Sequence, residues 1–310
     1  MRFSITHIIN KIRWAFFNKI KILFTCCSNI EYDLPLLFHL KELTIINSWV
    51  DYRDGKIIRR NLGDDLNYYI LRDLFHLNIR FKDSSFLSKI KRENYLCIGS
   101  IIHYGNRHSI VWGAGCISNN GPIPKLKQVL TVRGPLTRER LIKAGLSCPE
   151  IYGDPVLLLP ILYKPTVNVS DQVGVILNAA DETSEITASI RSGNHITYIS
   201  MVDYTDWKNV VNSICECRII LSSSLHGLII ADAYNIPNIW VSVDNNQNII
   251  GGDFKYLDYL ASVKRKQNKP IDLKTMLETG IDKYDYLIEK PQIDLKQIVD
   301  SCPFKQNLKM

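Results

Sequence analysis

An alternation restricts this chain's fold more than any other feature. Short apolar runs of strand length end in glycine or serine turns, and helical patterns follow. In the clearest unit, Ile219, Ile220 and Leu221 form a buried-strand run and Ser222, Ser223 and Ser224 a polar turn. Leu225 to Tyr234 then continues as a largely apolar helix, with Pro237 beyond its end. Similar runs begin at Leu43, Tyr95, Ser109, Val129, Val173, His195 and Asn238. Strands that alternate with helices in this way build parallel sheets covered on both faces. The runs fall into two sets joined near residues 159–169, which predicts an α/β fold of two doubly wound, Rossmann-like halves with a cleft between them. The expected division is a basic segment over 1–30, a first half over 31–165, and a second half with a helical tail over 166–310.

Charge is unevenly placed. The net charge is +7, yet residues 1–30 hold Arg2, Lys11, Arg13, Lys19 and Lys21 and no acid. The rest is nearly balanced, which argues against a nucleic-acid-binding body. Over residues 5–24, Ile5, Ile8, Ile9, Ile12, Phe16, Ile20 and Leu23 share one helical face. No uninterrupted apolar run there is long enough to span a membrane. Two readings stay open: an amphipathic helix lying on an anionic membrane surface, or one packed on the body. The eight cysteines show no zinc spacing and read as free thiols in a reducing compartment.

The strand-to-helix junctions carry the candidate chemistry. His226 and Gly227 sit in a first helical turn, where free N–H groups and the helix dipole attract anions. A histidine there binds phosphate or moves a proton near neutral pH, or is simply packed. Ser223 and Ser224 border the same turn. Gly113 and Gly115 end another strand, and Arg133 stands at the end of a third, just before the helix start at Pro135. Asn61-Leu-Gly63-Asp64-Asp65 opens a further helix, with more polar groups than one cap requires. His103 and His108 flank a loop that could line the cleft, and Asp154 reads as a turn residue between the halves.

Taken in order, Asn61-Leu-Gly-Asp64, Ile98-Gly-Ser-Ile101, Val111-Trp-Gly-Ala-Gly115, Val132-Arg-Gly-Pro-Leu-Thr137, Gly153-Asp-Pro155, Ser222-Ser-Ser-Leu-His-Gly227 and Gly252-Asp-Phe-Lys-Tyr-Leu-Asp-Tyr259 resemble the polysaccharide pyruvyl transferase family. The resemblance implies a fold like that of GT-B glycosyltransferases. It also implies transfer of the enolpyruvyl unit of phosphoenolpyruvate onto two hydroxyls of a hexose, giving a cyclic ketal. The acceptor would belong to a lipid-linked oligosaccharide or a polysaccharide of the cell surface, exopolysaccharide or capsule. The enzyme would be cytoplasmic, or peripheral on the inner face of the membrane. On this reading His226 and Asp64 are catalytic. Asn61, Gly63, Gly113, Gly115, Arg133, Ser223, Ser224, Gly227 and Lys255 bind substrate. Arg133 is the first candidate for the donor's anionic groups, and neither metal nor cofactor is expected. The chain departs from the family pattern at Ser224, where many relatives carry arginine, and at Asn178, near which some carry histidine. A GT-B glycosyltransferase using a nucleotide sugar is the alternative, and a non-catalytic sugar-binding relative a third possibility.

Overall fold

The computed structural model describes residues 5–58, 61–182, 190, 195–243 and 249–308, with side chains of the first helix described from Arg13 onward. The helix expected over 181–192 lies largely outside the described residues.

The first half holds a parallel sheet of five strands. In chain order these are β1 (Leu43–Ile46), β4 (Asn78–Phe81), β5 (Asn94–Leu96), β6 (Ser109–Trp112) and β7 (Gln128–Thr131). A small antiparallel hairpin, β2 (Tyr52–Arg53) and β3 (Lys56–Ile57), interrupts them. The sheet order is β4-β1-β5-β6-β7. The second half repeats this plan with β8 (Val173–Ile176), β9 (Ile196–Tyr198), β10 (Ile219–Ser222), β11 (Asn238–Ser242) and β12 (Ile271–Asp272), ordered β12-β11-β10-β8-β9. In both sheets the first and third parallel strands of the half lie side by side, and the chain turns outward in opposite directions from that pair. The sequence shows no repeat, yet the halves share one topology.

Burial explains the composition of the strands. The inner strands β1, β6, β8, β10 and β11 are buried at every position and rich in Ile, Val and Leu. Helices cover both sheet faces, so no polar alternation is needed. The edge strands β4, β7, β9 and β12 are partly exposed.

The helices used below are α1 (Ile5–Ser28), α2 (Leu62–Tyr69), α3 (Pro135–Lys143), α4 (Trp207–Cys215), α5 (Leu225–Ala233), α6 (Phe254–Ser262), α7 (Leu273–Thr279) and α8 (Leu295–Asp300). Among the described residues no helix is long and apolar enough to cross a membrane. The foot of α1 is tied to the body through buried Asn29, whose amide donates to the carbonyls of Tyr52 and Ser84 at 2.9 and 2.8 Å. All eight cysteines are free.

The halves are joined by more than a linker. One hydrophobic cluster runs through both, from Ile46 and Leu66 to Trp207, Ile229 and Tyr259. Across the cleft, Leu62 donates its N–H to the carbonyl of Met201 at 2.8 Å, and Asn61 pairs with Val202 as a backbone bridge. Asp154, at the turn between the halves, is wholly buried and caps residues 155–158 by accepting the Val156 N–H at 3.0 Å. The tail then returns to the first half. Trp112 Nε1 donates to the Ile298 carbonyl at 3.0 Å, and Phe304 packs against Phe75, Tyr95 and Trp112.

Candidate active site at the paired strand ends

Open parallel sheets bind ligands beyond the carboxyl ends of their strands, where the winding direction reverses. That reversal lies between β1 and β5 in the first half and between β8 and β10 in the second. The four segments following those strands meet around one cavity of about 180 Å³. Trp49 follows β1, and Gly99, Ser100 and Ile101 follow β5. Leu177, Asn178 and Ala179 follow β8, and Ser224, Leu225 and His226 follow β10. Asn61, Asp64, His103, Ile117, Met201, Val202 and Lys255 complete the wall.

The structure therefore brings five of the sequence candidates together: Asn61, Asp64, Ser224, His226 and Lys255. Gly63, Gly113, Gly115, Arg133, Ser223 and Gly227 do not line the cavity. They stand behind it, and two of these glycines make room for larger side chains, those of His226 and Arg133. A methyl group at Gly63 would stand 2.2 Å from Nδ1 of His226, and one at Gly115 would stand 2.3 Å from Cζ of Arg133. Ser223 is buried. Its hydroxyl donates to Asp181 Oδ2 at 2.9 Å and accepts the Asn178 N–H at 2.9 Å, so it shapes the turn that carries Asn178 to the wall. His103 reaches the cavity, whereas His108 lies against Arg107 on the outside.

Arg133 was expected to face the donor. Its side chain is instead fully buried and all three guanidinium nitrogens are engaged. Nε donates to Asp258 Oδ2 at 3.0 Å, Nη1 to the Ser100 hydroxyl at 2.6 Å, and Nη2 to the Cys116 carbonyl at 2.8 Å. Glu139, the acid nearest to Arg133 along α3, pairs instead with Lys143. Asp258 also accepts from the backbone and hydroxyl of Thr137 at 2.8 and 2.7 Å, so α6 is pinned to the start of α3. A buried charge pair needs such extra hydrogen bonds to offset its desolvation.

The cavity is electropositive at one end. Lys255 opens α6, makes no ion pair or hydrogen bond with another described residue, and stands 5.2 Å over the ring of Tyr256. Burial and then the nearby Arg133 charge lower its ammonium to about 8, with Asp64 and Asp181 pulling the other way. His226 is pushed down to about 3, first by burial and then by Arg133 and Lys255, so its imidazole is neutral near pH 7. Its Nε2 is buried without a hydrogen-bond partner among the described residues. Ser222 shapes the turn before α5 by accepting the Ser224 N–H at 3.0 Å and donating to the Ser224 carbonyl at 2.8 Å. The first-turn N–H groups of α5 have no intrahelical acceptor. A neutral imidazole, an ammonium and a helix start on one small cavity can receive an anion and deliver a proton. Among the described residues, no three His, Cys, Asp or Glu side chains converge to hold a metal ion.

Comparison with known proteins agrees with this architecture. The family model for polysaccharide pyruvyl transferase matches residues 61–245, a span from the opening of α2 past the end of β11. The chain belongs to that family, and its general activity is pyruvyl transfer in polysaccharide synthesis. It is also similar to "Uncharacterized protein L143" of Acanthamoeba polyphaga mimivirus, 27% identical over 205 residues that cover 64% of this chain and 69% of that protein. The family match does not favour a nucleotide-sugar glycosyltransferase. Trp49 and Lys255, both on the cavity wall, lie outside the matched span, and Trp49 was not foreseen from sequence.

Proposed function

We propose that the protein moves the enolpyruvyl unit of phosphoenolpyruvate onto two hydroxyls of one hexose, forming a cyclic ketal. The observation that carries this reading is the convergence of Lys255, His226 and the α5 N-terminus on one cavity. The donor carries a phosphate and a carboxylate, and both need positive charge and N–H donors. Lys255 and the α5 start hold these groups, with the buried Arg133 adding to the positive field from behind. Arrival of the anion raises the proton affinity of His226, which then protonates the enol methylene or supports the departing phosphate. Protonation leaves an oxocarbenium-like carbon. One sugar hydroxyl attacks it and gives its proton to Asp64, while Asn61 orients the sugar. Phosphate leaves, restoring an oxocarbenium-like carbon, and the second hydroxyl attacks it and closes the ketal, giving its proton to the departing phosphate.

In this reading the two sheets act as GT-B-like halves, divided near residue 165. The acceptor is a hexose of a lipid-linked oligosaccharide or of a growing exopolysaccharide or capsule. Helix α1 supports a peripheral membrane seat. Its packing face holds Ile22 and Thr25 and leads on to Asn29, while Phe16, Ile20, Leu23 and Phe24 follow a different face. Phe24 is 71% exposed, and Trp14, Phe16, Phe17 and Leu23 are exposed as well. Arg13, Lys19 and Lys21 suit an anionic surface. Exchanging Phe16, Phe17, Leu23 and Phe24 for serine should abolish flotation with phosphatidylglycerol vesicles, and undiminished flotation would remove the membrane from this reading.

The reaction is tested by phosphate release from phosphoenolpyruvate with a panel of galactosides, mannosides, glucosides and lipid-linked hexoses. Release that depends on an acceptor, with the matching pyruvyl mass gain on the sugar, is the expected result. Failure to bind phosphoenolpyruvate, together with binding of a nucleotide sugar, would overturn it.

A further inference from the structure

Trp49 is the odd residue of the cavity wall. It sits three residues past β1, at the reversal point of the first sheet, and 61% of it is exposed. Apart from the imidazoles of His103 and His226, the other lining residues carry no ring: they present polar groups or aliphatic side chains. An indole left open at a ligand site, away from any core, is an informative exposure.

Its position is fixed. The indole meets Tyr104 edge to face, with centroids 5.6 Å apart and planes at 73°. Tyr104 lies against His103 at 3.9 Å. The loop beneath is held by buried Asn47. Its backbone N–H donates to the Tyr95 carbonyl at 2.9 Å, and its side-chain amide donates to the Tyr104 carbonyl at 2.8 Å. The ring is thus a braced plate, and a rigid aromatic loses little entropy when a ligand lies on it. Around it on the same wall stand Asn61, Asp64 and His103, all able to bond hydroxyls.

We infer that Trp49 is the acceptor platform, on which the apolar C–H face of a pyranose rests while its ring-edge hydroxyls reach Asn61, Asp64 and His103. This rests on the pyruvyl-transfer reading. A sugar must bring two hydroxyls of one ring into a cavity of about 180 Å³ whose cationic end takes the donor. The ring itself needs support at the mouth. A flat apolar plate beside a fringe of hydrogen-bonding groups matches a pyranose, which has one apolar face and a polar rim. A nucleobase would also stack on an indole. A flat base, however, brings no ring-edge hydroxyls to Asn61, Asp64 and His103, and it is the competing outcome.

The experiment uses full-length protein and the variants Trp49→Ala and Trp49→Phe. Saturation-transfer NMR measures binding of methyl glycosides of galactose, glucose and mannose, with uridine diphosphate as the base-bearing probe. Calorimetry measures phosphoenolpyruvate in parallel. The wild type should bind at least one glycoside through its C–H face. Trp49→Ala should weaken that affinity about tenfold, ~1.4 kcal/mol, while Trp49→Phe stays within about threefold. Phosphoenolpyruvate affinity should hold in both variants. In turnover, the acceptor KM of Trp49→Ala should rise far more than kcat falls. Equal glycoside binding by wild type and Trp49→Ala would overturn the platform and leave pyruvyl transfer standing. Glycoside binding lost with Trp49, but without phosphoenolpyruvate binding by the wild type, would keep the platform and fail the donor reading. No glycoside binding, or uridine diphosphate as the only probe dependent on Trp49, would overturn the platform.

Discussion

Lys255 makes donor binding sensitive to pH in a way that can be worked through. Burial and then the Arg133 charge disfavour the cation and lower its ammonium to about 8. The donor's phosphate loses its second proton near pH 6, so above pH 7.5 the ligand no longer changes charge. If only the charged lysine holds the anion, apparent affinity follows the charged fraction. That fraction is about one half at pH 8 and about one eleventh at pH 9, so the dissociation constant should rise roughly tenfold from its plateau by pH 9, ~1.4 kcal/mol. Lys255→Arg should remove the slope, because guanidinium stays charged throughout. Lys255→Met should bind weakly at every pH with no step. Calorimetric titration of phosphoenolpyruvate between pH 7 and 9.5 is the assay. A flat wild-type profile, or a slope that persists in Lys255→Arg, would refute the assignment of Lys255 to the anion.

Three further expectations rest on single contacts. Gly63→Ala should push His226 out of place, since the added methyl would stand 2.2 Å from Nδ1. Turnover should collapse and the melting temperature fall by an amount corresponding to about 1–3 kcal/mol of overpacking, and an unchanged kcat would contradict the seating role. Asp258→Ala leaves Arg133 as an unpaired buried charge and should cost about 3–5 kcal/mol, read by urea denaturation; a loss below 1 kcal/mol would show that Ser100 and Cys116 suffice. The neutral His226 predicts acid sensitivity. Between pH 6.5 and about 3 the unfolded chain binds a proton that the folded imidazole refuses, so stability falls as pH drops through this window. His226→Gln should flatten that part of the melting curve, and an identical curve would dismiss the linkage.

The strands were legible because inner parallel strands are buried on both faces and read as unbroken apolar runs. β10, Ile219–Ser222, is the plainest case. Their order in the sheets was not legible, because crossovers decide that β1 lies between β4 and β5 and that β6 and β7 follow on the far side of β5. The glycines were visible as special positions, but not what they approach. Gly63 meets His226 from the other half of the chain, and a residue window cannot contain both. Arg133 misled for the same reason. A strand-end arginine beside a helix start looks the same whether it faces a ligand or Asp258, which is 125 positions away. Trp49 carried a weak signal, an aromatic just past a strand end, but its exposure follows from the support of Tyr104. Asn61, Asp64, Ser224 and His226 could be chosen from sequence because their chemistry and their strand-to-helix junctions coincide.

The returning tail bears on how the chain is made. Ile298 accepts from Trp112 and fills the space beside Gly153, while Phe304 closes over Phe75 and Tyr95. All of these tail partners belong to the half translated first. That half leaves the ribosome with an uncovered aromatic flank and keeps it until residues 298–304 have followed. Vectorial synthesis therefore does not finish one half before starting the other. A nascent chain stalled after β11 should therefore display Trp112 and Phe75 to chaperones.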